Sequence, residues 1–216
     1  MARVNDDNAA TPAAPPVPDP SAPLHGLRLR PWRVDDERDL AAVVEGVTDP
    51  DFRRWNTPLQ PFDDRAGAER FVRRRTEGRA AGTSVGFCIT REGDDIPLGH
   101  MGMGQIDWTL SRGRVGYWVL PHARGRGVAT GALDLLARWA FTELGLHRVE
   151  LGHAVGHGAS CTVAERGGFP YEGTLRGAMF AAGRRDAFRD MHAHARLAAD
   201  PAPVLPPNPP SDAART

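Results

Sequence analysis

Apolar and polar residues alternate in the first part of the chain that has a clear hydrophobic pattern, from Leu27 through Leu29 to Trp32. Such alternation is typical of a strand with one buried face. Two pairs of aspartates then supply N-cap candidates, at residues 35–36 and 63–64. Because apolar residues at helical spacing follow each pair, we predict a helix after each of them.

Three β-rich runs come next, separated by turn residues, and we expect consecutive antiparallel strands at residues 84–91, 96–107 and 114–120. The apolar spacing then changes to that of a helix, over about residues 128–144. A strand, a short helix and two last strands are predicted at residues 147–154, 159–166, 169–179 and 187–197. This order of elements predicts an α/β (α+β) fold, in which a mixed, mostly antiparallel sheet is flanked by helices.

Both ends of the chain are rich in proline, alanine and aspartate and poor in large apolar residues. Such segments cannot bury enough apolar surface to offset the entropy lost on ordering. We therefore predict disordered tails at residues 1–24 and 199–216, and one folded domain over residues 25–198.

Charge and cysteine content narrow the class of protein. The 216 residues include 27 basic and 27 acidic side chains, so net charge gives no reason to expect nucleic acid or a membrane as partner. Cys88 and Cys161 have neither a CxxC spacing nor a metal-ligand spacing, and we predict no disulfide framework and no metal. The sequence shows no signal-peptide pattern and no run of membrane-spanning length, which favours the cytoplasm.

The most informative stretch is residues 116–129, where a strand, a glycine-spaced loop and a helix start follow one another. Unpaired amides and the helix dipole make a helix N-terminus an anion site. Gly125 and Gly127 let a phosphate approach the backbone, and Arg124 or Arg126 could pair with it. Considered alone, the loop is equally compatible with a solvated turn whose arginines face water.

Two common nucleotide-binding fingerprints do not fit this loop. The Rossmann motif has three glycines at another spacing within a parallel sheet, whereas antiparallel strands are predicted before this loop. A Walker loop requires lysine, and the sequence has none.

The loop does resemble the Arg/Gln-x-x-Gly-x-Gly/Ala pyrophosphate motif of the GNAT N-acetyltransferase superfamily, since residues 124–129 read Arg-Gly-Arg-Gly-Val-Ala. Four further stretches are similar to its RimJ/RimL branch of ribosomal-protein N-terminal acetyltransferases: residues 116–119, 160–169, 172–176 and 189–191. The resemblance covers about residues 27–197. It implies the GNAT acyl-CoA N-acyltransferase fold, with splayed central strands, and acetyl-CoA as co-substrate without a metal.

The resemblance also implies where the co-substrate lies. The pantetheine arm would pair with the strand edge at Val119 and Leu120, and an amide near Val119 would stabilise the developing oxyanion. The loop would hold the diphosphate. The implied cofactor-binding residues are Trp118, Val119, Leu120, Arg124, Gly125, Arg126, Gly127, Val128, Ala129, Thr130, His157 and Ser160.

Ser160 matches the serine that the RimJ/RimL branch places near the coenzyme sulfur, so the resemblance implies a proton donor to the thiolate. Its alternative role is to cap the start of its own helix. Two positions depart from the family: His157 replaces an asparagine, and Met179 replaces a carboxylate found in some members. Ala164 stands where many other GNAT branches have a tyrosine.

The sequence offers several candidates for the general base. Glu150 is the first candidate, followed by His153, His100 and Asp107. A water chain could suffice for an α-amine, whose ordinary pKa of about 7.7–8.0 leaves a useful neutral fraction at pH 7.

We therefore predict an acetyl-CoA-dependent N-acetyltransferase acting on a primary amine, foremost the N-terminal α-amine of a protein or peptide, by direct attack on the thioester. A small-molecule amine is the alternative acceptor, and a non-catalytic acetyl-CoA-binding module is the alternative function. The acceptor groove is expected near Trp55 and the hairpin around Gly183. The sequence leaves open whether the chain forms a homodimer.

Overall fold

A seven-stranded sheet organises residues 14–15 and 17–208, the part of the chain that the computed structural model describes. The strands run in the order β1-β2-β3-β4-β5-β7-β6, with β4 and β5 as the parallel pair and antiparallel pairing elsewhere. Their bounds are β1 Leu27–Pro31, β2 Val85–Arg91, β3 Gly99–Asp107, β4 Arg112–Val119, β5 Arg148–Ala154, β6 Tyr171–Phe180 and β7 Phe188–Leu197. The predicted fold class is confirmed.

Five α-helices accompany the sheet in the described residues: α1 Glu37–Thr48, α2 Pro50–Trp55, α3 Arg65–Ala80, α4 Val128–Thr142 and α5 Gly158–Arg166. Asp36 and Asp64 cap α1 and α3 through their side chains, as predicted. Asp49 caps α2, a helix that the sequence analysis missed. None of these helices is both long and apolar enough to cross a bilayer.

Two hydrophobic clusters form on the sheet, and neighbouring residues of β2 belong to different ones. Ile89 packs in the cluster that includes Leu136 of α4, whereas Cys88 packs in the cluster that includes Phe71 of α3. Because successive strand residues point to opposite faces, the two clusters cover the two sides of the sheet. A fully buried isoleucine or leucine side chain contributes about 1.5–3 kcal/mol to the stability of the folded state.

The parallel pairing of β4 and β5 ends halfway along both strands. The register runs from Arg112 opposite Arg148 to Val115 opposite Leu151. Beyond this point, β4 continues to pair with β3 as far as Val119, and β5 continues to pair with β7. The sheet therefore opens into a wedge between residues 116–119 and 152–154. This wedge confirms the expected splay of the central strands.

Described parts of both predicted tails contact the domain. Val17 is buried in the α4-side cluster, and its carbonyl accepts a hydrogen bond from Arg79 Nε at 2.8 Å. Near the other end, Asn208 N donates to the His25 carbonyl at 2.9 Å. Val17 thus belongs to the core, although the sequence placed it in a tail. Residues 1–13, 16 and 209–216 lie outside the described residues, and the predicted domain limits stay a prediction.

A buried carboxylate joins α4 to the end of β7. Asp134 is fully buried and accepts hydrogen bonds from His25 Nε2 at 2.8 Å and from Arg196 Nη1 at 2.6 Å. We expect Asp134→Ala to lower the free energy of unfolding by about 3–5 kcal/mol, because Arg196 is then buried without its carboxylate. Urea unfolding measures this loss. Asp186→Ala, which breaks an exposed pair with Arg184, is the control, and equal midpoints for both variants would contradict the prediction.

Candidate cofactor and active site

The loop between β4 and α4 has the backbone geometry that its glycines allow. After a single 3-10 turn at Pro121–Ala123, Gly125 and Gly127 have φ angles of +72° and +77°. Residues with a side chain rarely adopt this left-handed backbone conformation, whereas glycine adopts it without strain. Gly127 is the N-cap of α4, and it offers no side chain to bond the first amides of the helix.

These first amides form the predicted anion site. The hydrogen bond from Gly131 N to the Gly127 carbonyl, at 2.9 Å, is the first of the α4 ladder. The amides of Val128, Ala129 and Thr130 therefore have no acceptor within the helix. With the positive end of the helix dipole they can bind a phosphate oxygen. The loop thus fits a diphosphate, and the residue assignments made from the sequence stay predictions.

The structure gives Arg124 partners other than a phosphate. Its Nη2 donates to Asp49 Oδ1 at 2.7 Å, and its Nε donates to the Val119 carbonyl at 2.9 Å. Arg124 therefore ties the loop to the N-cap of α2 and to the end of β4. A contact with the diphosphate would require it to exchange these partners. Arg126, half-buried in the same loop, stays a predicted phosphate contact.

The backbone at the end of β4 offers fewer groups than the sequence suggested. The Leu120 amide donates to the Leu98 carbonyl, and the Leu120 carbonyl accepts from Ala123 N, each at 2.9 Å. The Leu120 amide is therefore already used within the protein. Trp118 turns its ring away into the cluster on the α1 and α3 side. Val119 lies on the open edge of the wedge, its carbonyl already accepts from Arg124 Nε, and its predicted contacts with the co-substrate stay predictions.

Ser160 meets a tyrosine across the wedge. Ser160 is buried on α5, and its Oγ lies 2.7 Å from the hydroxyl of Tyr117, which belongs to the part of β4 that pairs with β3 but no longer with β5. Burial raises the pKa of Tyr117 to about 12, so the phenol keeps its proton at neutral pH. The pair forms a chain of two hydroxyl groups beside the open strand edge. The sequence analysis assigned no role to Tyr117, although it lies within the matched stretch at 116–119.

His157, and not Ser160, is the N-cap residue of α5, and the His157 ring packs on α2. It stacks on Trp55 with the ring centroids 4.5 Å apart and the planes 4° from parallel. Burial lowers the pKa of His157 to about 4, so the ring is neutral at physiological pH. A neutral imidazole can still donate one hydrogen bond. The predicted contact with the cofactor stays a prediction.

Glu150 lies away from the Ser160–Tyr117 pair. It accepts a hydrogen bond from Arg148 Nε at 2.8 Å and lies 3.9 Å from Arg112. These partners are at the end of the wedge where β4 and β5 are still paired. The structure therefore gives Glu150 a structural ion pair, and does not bring it together with Ser160 as the expected base.

The other base candidates are also engaged. His100 Nδ1 accepts from Trp32 Nε1 at 3.0 Å, and burial lowers the pKa of His100 well below its usual value. Asp107 lies 3.7 Å from Arg112. His153 of β5 packs against two histidines of β7, His192 and His194. In the described residues, none of these candidate carboxylates and imidazoles forms a hydrogen bond with the Ser160 side chain.

A cavity of about 1150 Å³ opens on the side of the wedge that faces α2 and the β6–β7 hairpin. Tyr117 and Trp118 line one wall, and Gly183 lies on another; of the two residues expected near the acceptor groove, Gly183 lines this cavity and Trp55 does not. Five arginines line it, and none of the described lining residues is acidic: Arg53, Arg74, Arg75, Arg114 and Arg185. The Nε atom of Arg75 is buried without a hydrogen-bond partner in the described chain. The cavity is therefore suited to an anionic molecule.

Comparison with known protein families assigns this sheet, with its wedge and glycine loop, to one family. Residues 26–170 match the model of the acetyltransferase (GNAT) domain, and the chain belongs to this family. The RimJ/RimL resemblance is also confirmed by the relatives found.

Two relatives and one solved structure illustrate the similarity. The putative ribosomal N-acetyltransferase YdaF of Bacillus subtilis is 35% identical over 90 residues, which are 42% of this chain and 49% of that protein. This chain therefore spans about half the length of YdaF. The ribosomal-protein-serine acetyltransferase of Escherichia coli is 25% identical over 175 residues, covering 76% of this chain and 95% of that protein. Mycobacterium smegmatis RimJ in complex with CoA-disulfide superimposes with a TM-score of 0.71 at 24% identity, covering 82% and 86% of the two chains.

Proposed function

We propose that this chain transfers the acetyl group of acetyl-CoA to a primary amine. The observation that carries the proposal is the wedge between β4 and β5, which has the α4 amides at one end and the Ser160–Tyr117 pair beside its open edge. RimJ, solved with a CoA-disulfide, has the same fold. Family membership supports the same chemistry.

Each part of the wedge has a role in this proposal. The amides of Val128, Ala129 and Thr130 hold the diphosphate, and residues 116–119 offer main-chain groups to the pantetheine amides. The Val119 amide donates to the thioester carbonyl oxygen as negative charge develops on it. These contacts bind and orient the thioester against the acceptor amine, which supplies much of the rate.

The Ser160–Tyr117 pair supplies a proton when the thioester is cleaved. The amine nitrogen attacks the carbonyl carbon, the carbon–nitrogen bond forms and the carbon–sulfur bond breaks. The Ser160 hydroxyl donates to the departing sulfur, and Tyr117 donates in turn to Ser160 Oγ. The proton lost by the amine passes to water, and water returns a proton to Tyr117. An α-amine, with an ordinary pKa of about 7.7–8.0, is partly neutral at pH 7 and needs no strong base.

The charge of the cavity bears on the acceptor. Arginines line it without an acidic residue among the described lining side chains, so a polycationic amine meets like charge throughout. An amine whose neighbouring groups are carboxylates or phosphates meets complementary charge. We therefore propose the α-amine of an acidic protein or peptide N-terminus as acceptor. A small anionic amine is the second candidate, favoured by the same arginines.

Release of free thiol from acetyl-CoA tests this function. We expect turnover with peptides whose first residues are acidic, and at least about 10-fold lower kcat/KM with spermidine, because like charges juxtaposed in the cavity oppose binding. Turnover of spermidine in preference to every peptide would contradict the proposed acceptor. Coenzyme A binding with no turnover of any amine would favour the non-catalytic module instead.

Arg75→Gln tests the cavity itself. Arg75 is one of the residues that line the cavity; its guanidinium lies over the Phe71 ring at 4.5 Å, and its Nε is buried without a hydrogen-bond partner in the described chain. We expect KM for the acidic peptide to rise about 10-fold with little change in kcat, since one charge-assisted contact of about 1.4 kcal/mol is lost. Arg70→Gln, exposed on the same helix and outside the cavity, is the matched control. Equal KM values for both variants would place the peptide elsewhere.

A further inference from the structure

Four potential metal ligands converge beside the proposed active site, and the proposed transfer uses none of them. They come from three elements: His153 of β5, Cys161 of α5, and His192 and His194 of β7. The ligand atoms all lie within 4.8 Å of one another. His153 is directly opposite His192 in the antiparallel register, and His194 is two residues along the same strand, so the three imidazoles share one face of the sheet.

Hydrogen bonds to the backbone fix the protonation of two of these rings. His153 Nδ1 lies 3.0 Å from the Ala154 carbonyl, and His194 Nδ1 lies 3.1 Å from the Phe169 carbonyl. A carbonyl oxygen can only accept, so each Nδ1 carries a proton. In the neutral rings both Nε2 atoms then present lone pairs. These two Nε2 atoms face each other at 3.2 Å, where two lone pairs repel unless a proton or a metal ion lies between them.

Three of the six ligand-to-ligand distances are close to those of a tetrahedral zinc site, and the other three are at most 4.8 Å. With Zn–N of about 2.0–2.1 Å and Zn–S of about 2.3 Å, tetrahedral ligands are about 3.3 Å apart for two nitrogens and about 3.5 Å apart for nitrogen and sulfur. The two Nε2 atoms are 3.2 Å apart. Cys161 Sγ lies 3.5 Å from His192 Nδ1 and 3.8 Å from His194 Nε2.

We propose that His153, Cys161, His192 and His194 bind one zinc ion. Four protein ligands complete the coordination, which is the arrangement of a structural site rather than a catalytic one. The two backbone carbonyls at Nδ1 are the outer hydrogen bonds that orient zinc-bound imidazoles. On binding, the Cys161 S–H bond breaks, an S–Zn bond forms and the proton leaves to solvent.

Such a site fixes α5 to the two strands behind it. Cys161 follows Ser160 directly, so the zinc ion holds the helical turn that presents Ser160 to Tyr117. The cluster is thus a positioning device for the proposed active site. Metal binding itself does not depend on the proposed transferase activity, and it can be measured without it.

Metal analysis of the full chain, purified without a histidine tag, tests the site. After exposure to zinc and dialysis, we expect inductively coupled plasma mass spectrometry to find about one zinc ion per chain. Replacement by Co²⁺ should give a thiolate-to-cobalt charge-transfer band and the strong visible absorption of tetrahedral cobalt. Cys161→Ser should lose the charge-transfer band, and His192→Ala should lose most of the bound metal. His147→Ala, an exposed histidine outside the cluster, is the matched control and should keep both.

Two results would overturn the zinc site. The first is wild-type protein with less than about a tenth of a zinc per chain and no cobalt band. The second is a cobalt spectrum that Cys161→Ser and His192→Ala leave unchanged, since the metal then lies elsewhere. Should either variant fail to fold, the cobalt spectrum of the wild type decides alone, because only a thiolate ligand produces the charge-transfer band and Cys88, the other cysteine, is buried.

Discussion

Gly127→Val should weaken coenzyme A binding by more than about 100-fold while the domain still folds. A β-branched residue is strained at the φ of +77° that Gly127 adopts, and the loop relieves this strain by turning its amides. Loss of two charge-assisted hydrogen bonds to the diphosphate costs about 3–6 kcal/mol, which corresponds to at least about a 100-fold change in Kd. Titration calorimetry with coenzyme A measures the change.

Gly145→Val is the matched control for this variant. Gly145 follows α4 with a φ of +67°, close to the +77° of Gly127, and an added Cβ would meet no atom within 4 Å at Gly145 and only Asn208 Oδ1, at 3.7 Å, at Gly127. The backbone strain is therefore comparable, whereas the position is at the opposite end of α4 from the loop. We expect similar losses of stability in both variants and a loss of affinity in Gly127→Val alone. Wild-type affinity in folded Gly127→Val protein would show that the diphosphate binds elsewhere.

Ser160→Ala should lower kcat by about 100-fold with coenzyme A affinity nearly unchanged. The hydroxyl acts on the sulfur only as the carbon–sulfur bond breaks, so its loss affects the transition state more than the bound ground state. Tyr117→Phe should lower kcat in the same direction but less, since it removes the donor to Ser160 Oγ and leaves Ser160 in place. Thiol-release kinetics with saturating acceptor measures both.

The second tyrosine of the chain is the control. Tyr171 donates or accepts a hydrogen bond with Thr174 on exposed β6, and Tyr171→Phe should retain wild-type kcat. In the double variant, Ser160→Ala with Tyr117→Phe, we expect no further loss beyond Ser160→Ala, because the two hydroxyls act as one chain. Full activity in Ser160→Ala would reduce Ser160 to a buried hydroxyl that holds Tyr117.

Most elements were predictable from the sequence because each has a local signal. The Asp36 and Asp64 caps, the periodicity of α4 and the alternation in β1 all lie within one element. The helix α2 was missed because its six residues are too few to show a hydrophobic period, although Asp49 and Pro50 mark its start.

The site was predictable only where it is contiguous. The loop with Gly125 and Gly127 is one run of residues, and its geometry follows from its glycines. The Tyr117–Ser160 contact joins residues 43 positions apart, and the contact between His153 and His194 joins residues 41 positions apart. Such contacts depend on how β4, β5, β7 and α5 pack. The alternation of His192 and His194 along one strand was the available signal for the histidine cluster.

Packing also gave two predicted residues partners that the sequence did not show. Arg124 looked like a phosphate ligand, but Asp49 of the unpredicted α2 cap binds its guanidinium. Glu150 looked like a base beside the cofactor, but the register pairs its part of β5 with β4, and Arg148 binds its carboxylate. In both residues, a partner from outside the motif decides what the side chain does.

The short contact between β4 and β5 has a consequence for the lifetime of the protein in a cell. Strands β1–β4 and β5–β7 are joined in the sheet through four parallel residue pairs, after which the edges separate. A molecule that hydrogen-bonds to both strand edges holds the two parts of the sheet together. At a concentration of 100 times its Kd, such a ligand stabilises the folded state by about 2.7 kcal/mol. We therefore expect proteases to degrade the ligand-free form first, so that the abundance of the protein follows the supply of its co-substrate.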